Sequence, residues 1–178
     1  MKFYANPISP QDASGELKEL YNEIEEMFGK VPLHIQLHAT YAFEDMKCFI
    51  EPMKMTRNHP EIPLEWFALM RLYVAKKDNY PYCISLNTKM LNNLGVNNNT
   101  IEAFLQDINK APLSKELILL LKKALKSIYN SHNFNSKDFE ELYKAGFSDK
   151  LIYQIIHYST QFSGIAKRLN TYLAKEDI

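Results

Sequence analysis

The stretch PLEWFALMRLYVAKKDNYPYCISLNTKMLNNLG, residues 63–95, decides the fold. Proline at 63 suits the first turn of a helix, and the apolar run that follows predicts a helix from Pro63 to about Lys77. Lys76-Lys77-Asp78-Asn79 reads as a turn, Pro81 opens a second helix to about Leu94, and Gly95 closes it. Two helices joined by so short a turn form a helical hairpin.

Outward from the hairpin the same periodicity continues. Between Ser14 and Phe28, Leu17, Leu20, Tyr21, Ile24 and Met27 recur at three- and four-residue steps, with Gly29 as the C-terminal cap. A second helical region starts at Pro32 and runs, with a break near Thr40, to about Met55, where the proline-flanked loop 57–63 stops it. After residue 95 a short helix is expected from Thr100 to Asn109 and a long one, capped by Ser114, to Asn130. Ser136 and Ser148 are further N-cap candidates, Gly146 ends the helix between them, and the last helix runs from Asp149 to about Ala174. Its apolar face carries Leu151, Ile152, Ile155, Ile156, Tyr158 and Phe162. The expectation is an all-α bundle of about seven or eight helices forming a single domain over residues 1–178, with no internal repeat.

Composition narrows the function classes. At 178 residues the chain suits one hydrophobic core. Its 21 Lys plus Arg balance 21 Asp plus Glu, so no net field gathers nucleic acid or an anionic membrane, and neither is an expected partner. The first residues, MKFYANPISPQD, lack the apolar run of a signal peptide, and no stretch has the ~18 uninterrupted apolar residues of a membrane span. Cys48 and Cys83 are the only cysteines and show no CxxC spacing, which argues against a structural disulfide. These readings point to a soluble protein of the reducing cytoplasm.

Three segments share a pattern. Phe28-Gly29-Lys30-Val31-Pro32 is similar to an "fG-x-vP" signature, Ala68 to Cys83 to a core of apolar helix, turn and CxxC, and Leu142 to Asp149, followed by an apolar helix with Arg168, to an "l-x-x-aG-x-sd" run. On these residues the chain resembles the carboxymuconolactone decarboxylase and alkylhydroperoxidase D family, in its peroxidase-related branch. The resemblance implies an alkylhydroperoxidase D-like helical bundle that assembles as a homotrimer or homohexamer through the hairpin 63–94. It also implies a redox site of two thiols, a glutamate and a histidine. Matched residue by residue, Cys83 takes the place of the second cysteine, Tyr80 of the first, Asn87 of the histidine and Ala68 of the glutamate. Glu65, one turn before Ala68, is the candidate substitute acid or base. Tyr80, Tyr82, Asn87 and Ala68 then line the pocket around the candidate thiol of Cys83.

Three functions follow from that pattern: a small-molecule pocket with changed chemistry and no CxxC redox cycle, a weak peroxidase using Cys83, or a non-catalytic oligomeric scaffold. No cofactor and no metal are expected. Cys83 itself has two readings. In the first turn of its helix the backbone dipole favours thiolate. Flanked by apolar Tyr82 and Ile84, with no basic partner nearby in sequence, it also reads as a small buried hydrophobe. His34 and His38 have the i, i+4 spacing of a metal pair, but no third ligand is signalled nearby, and satisfied packing or surface histidines is the leading reading. His157 reads as a hydrogen-bonded core residue, and His59 as a loop residue near a pocket mouth. Eleven tyrosines and seven methionines suit core filling more than a ligand pocket or partner surface.

Overall fold

The computed structural model describes residues 2 to 174 and divides the chain into two compact units, the first made of the residues up to 60 together with those from 172 and the second of residues 61–171. In the first unit α1 (Gly15–Phe28), α2 (Leu33–Tyr41) and α3 (Phe43–Arg57) surround Leu20, Tyr21, Ile24, Ile35, Met46 and Ile50. Gly29 ends α1 at φ 72°, in the left-handed region that glycine enters without a Cβ penalty, and its N–H reaches the Glu25 carbonyl. Ala42, at φ −147°, separates α2 from α3. Near the N-terminus Phe3 forms an isolated antiparallel bridge with Leu173.

The second unit is built on α4 (Leu64–Lys77), whose residues Trp66 to Met70, Leu72, Val74 and Ala75 are all buried. A helix apolar around most of its circumference has to be enclosed. It packs most extensively against α5 (Pro81–Asn93) and next against α7 (Lys115–Tyr129). Each fully buried Leu or Phe contributes roughly 1.5–3 kcal/mol, so this one helix concentrates much of the unit's apolar stabilisation. Trp66 buries its ring edge-on to Phe67 and donates its indole N–H to the Leu117 carbonyl at 2.9 Å, which satisfies the ring's one donor. The remaining helices are α6 (Asn98–Gln106), α8 (Ser136–Lys144) and α9 (Asp149–Tyr172), with short 3-10 turns at Ile108–Lys110 and Ser131–Asn133.

The nine α-helices among the described residues exceed the expected seven or eight because Ala42 divides the region 32–55 into two separate helices. Ser114 and Ser148 cap as expected, accepting from the Leu117 and Leu151 amides. Ser136 does not. Asn135 is the cap of α8, in a box where its side chain accepts from helix amides while Asp138 accepts from the Asn135 N–H. Asp138 is buried and also receives Lys123 at 2.6 Å and Lys126 at 2.7 Å, tying α8 to α7. Burial opposes its charge, but the two lysine hydrogen bonds and the Asn135 amide outweigh it and hold the carboxyl well below the usual range.

Candidate functional site

The hairpin turn sets the site. Asn79 adopts φ 57°, one of the few non-glycine types that tolerates that region, and reverses the chain after α4. The Tyr80 amide then bonds the Ala75 carbonyl at 2.8 Å, and Tyr80 becomes the N-cap residue of α5 with Pro81 in the first turn. Cys83 follows as the third helical residue and is 3 % exposed. The helix start favours thiolate there, yet burial dominates and pushes the thiol up to about 11.

A basic partner is present despite its distance in sequence. Arg71, on α4, acts on Cys83 electrostatically and pulls the thiol pKa down, less strongly than burial raises it. The Arg71 Nε donates to Asn87 Oδ1 at 3.1 Å and its Nη2 to Met90 Sδ at 3.3 Å. Asn87, itself buried, donates from Nδ2 to the Cys83 carbonyl at 2.8 Å. Burial lowers the Arg71 pKa to about 10, so the guanidinium stays charged at neutral pH. Sequence reasoning missed Arg71. Its signal was a cation set within the apolar run Trp66 to Ala75.

The other expected residues fall into two sets. Tyr80 and Ala68 are buried, and Tyr82 is half-buried on α5 beside Cys83 in sequence. Burial first, then Asp78, raises the Tyr80 phenol above its ordinary value. Glu65 lies elsewhere: it lines an open depression of about 400 Å³ with Pro63, Leu94, Gly95, Val96, Thr100 and Leu113. The reason is the antiparallel hairpin, in which the start of α4 faces the end of α5, while Cys83 sits at the α5 start. Six residues, ~9 Å of helix rise, separate Glu65 from Arg71.

The histidines are also placed. His38 stacks on Phe49 at 6.4 Å. His157 is a correction, since it is exposed and lies parallel to Tyr153 at 6.4 Å rather than in the core; two residues, a little over half a turn of α9, separate it from buried Ile155 and from buried Ser159. Among the described residues no group of three or more His, Cys, Asp or Glu side chains is arranged to hold a metal ion. Nor is any helix there long and apolar enough to cross a membrane.

Comparison with solved structures identifies the architecture. The chain superimposes on the alkylhydroperoxidase AhpD core of an uncharacterized peroxidase-related protein from Ralstonia eutropha JMP134 with a TM-score of 0.72 at 20 % identity, covering 94 % of this chain and 90 % of that one. The fold is that of the AhpD core. A peroxidase-related protein from Silicibacter sp. TM1040 gives a TM-score of 0.75 at 18 % identity, covering 94 % and 85 %. No protein-family model and no curated protein matches the chain.

Proposed function

We propose that this chain is an alkylhydroperoxidase D-like protein whose hairpin site has given up the CxxC redox cycle and holds a small organic molecule under changed chemistry. The observation behind this reading is Cys83, buried and protonated at neutral pH, with Tyr80 where the resemblance puts a second thiol. A thiol is a weak nucleophile toward peroxide until ionised, and an oxidised Cys83 needs a resolving thiol that Tyr80 does not supply. Asn87 and Ala68 stand where that pattern places the histidine and glutamate, and neither an amide nor a methyl transfers protons. Within this proposal Cys83, Asn87, Ala68, Tyr80 and Tyr82 line the pocket. The chain acts in the cytoplasm, as a homotrimer or homohexamer.

One observation favours the second reading, a weak peroxidase: the Arg71 charge lowers the Cys83 pKa from where burial alone would put it. Counting free thiols before and after hydroperoxide, with turnover measured under dithiothreitol, separates the two. The proposal expects two thiols throughout and no catalytic peroxide loss, and sustained turnover that depends on Cys83 would defeat it.

A further inference from the structure

We propose that the Arg71 cluster is the docking point of a small organic carboxylate, held by the free edge of the guanidinium between α4 and α5. The inference deepens the small-molecule reading above and rests on it. Arg71 occupies none of the positions to which the resemblance assigns chemistry.

The Arg71 charge has no ion-pair partner among the described residues. A guanidinium has five N–H donors, and the Arg71 bonds to Asn87 and Met90 use two, leaving three without a hydrogen-bond acceptor among the described residues. One of the two acceptors in use is a thioether sulfur, a weak one. A cation largely withdrawn from water is costly unless paired and hydrogen-bonded.

The neighbours do not supply the missing charge. Both polar atoms of the Asn87 amide are already engaged, and amide and thioether are neutral in any case. Cys83 keeps its proton at neutral pH. The Arg71 residue keeps some solvent exposure, while Asn87 and Cys83 beside it are buried.

The chemistry of the occupant follows from the donors. Asn87 fixes Nε and thereby orients the planar fork, and a planar fork with neighbouring N–H groups free matches a carboxylate through two parallel charge-assisted bonds. A neutral amide of the same shape offers one acceptor and brings an N–H against the remaining donors.

The test uses the full chain labelled at its methionine methyls, titrated with acetate and benzoate and, in parallel, with acetamide and benzamide. The Met90 methyl reports directly, because its sulfur touches Arg71. At least one carboxylate is expected to shift the Met90 resonance saturably and to bind roughly ten- to a hundred-fold tighter than its amide, the range for a hydrogen bond to a charged group. Arg71→Met abolishes the preference, and Arg71→Lys, which keeps the charge without the fork, retains part of it. Should Arg71→Met not fold, Asn87→Asp serves instead: it supplies an internal carboxylate to Arg71 and is expected to abolish carboxylate binding. Equal binding of acid and amide, a saturable site that leaves Met90 unmoved, or unchanged binding in Asn87→Asp would overturn the proposal. Peroxide turnover plays no part in this measurement, so its outcome is separable from that of the thiol assay.

Discussion

The protonation state of Cys83 is the property most open to direct measurement. A thiol of ordinary pKa, 9.0, is about 1 % ionised at pH 7, whereas at about 11 the thiolate falls to about 0.01 %, a hundredfold loss of the reactive form. In a Cys48→Ser background, the rate of Cys83 alkylation by iodoacetamide should rise about tenfold per pH unit through pH 10 without levelling. At pH 7 it should be at least ~100-fold slower than in urea-unfolded protein, with burial at 3 % exposure adding to the electrostatic effect. Arg71→Met removes the one charge that lowers this pKa and should slow the reaction further. The same shift enters stability. The folded state holds the proton more tightly than the unfolded chain, so its contribution is complete below pH 9 and is lost as pH rises toward 11, about 3 kcal/mol for a two-unit separation. Raised phenols at Tyr80, Tyr129 and Tyr158 act in the same direction, so Cys83→Ala should reduce the alkaline loss without abolishing it. An alkylation profile that levels off below pH 9 would refute the reasoning, because burial would then not govern the site.

Four other outcomes are expected. Mild oxidation followed by alkylation and mass spectrometry should show no Cys48–Cys83 bridge; Cys48 is exposed and Cys83 buried, and both are free. Ala68→Glu, Tyr80→Cys and Asn87→His combined should form a disulfide between positions 80 and 83 and give measurable thiol-dependent peroxide turnover, with the new carboxylate three residues from Arg71 on the same helix face. Both Ala68 and Tyr80 are buried, so stability has to be measured beside activity, and a folded, bridged variant without turnover would show that the pocket itself has diverged. Asp138→Asn should cost about 1.5–3 kcal/mol in urea unfolding, since a neutral amide then replaces the carboxylate that binds Lys126 and shares Lys123 with Glu141. Its depressed carboxyl makes that stability complete above pH ~4 and lost as pH falls further, so the parent should be more acid-sensitive than the variant. Sedimentation at micromolar concentration should give three or six times 20.8 kDa, and a monomer alone would count against the assembly.

The helices were legible because their determinants are local. Leu17 to Met27 repeat at helical spacing, Gly29 has the left-handed conformation a C-cap requires, and Ser114 meets an amide three residues away. The hairpin was legible for the same reason, with Pro63, Pro81 and Gly95 marking helix ends to within a residue or two. Local information failed where two local signals competed: Asn135 displaced the adjacent Ser136 because its partner Asp138 closes a reciprocal capping box. The site demanded more. Cys83 at a helix start looked activated by the backbone dipole, a property of its own turn, but its pKa answers to burial by distant segments of the chain. Arg71 and Asn87 stand 16 residues apart and meet only because the turn at Asn79 lays α5 back along α4. Backbone preference acts over a few residues and so is written in sequence order, whereas desolvation and charge compensation depend on what the finished packing brings within a few ångströms. For that reason periodicity was enough to find the helices, and only the packed hairpin revealed a half-buried cation with no ion pair among the described residues.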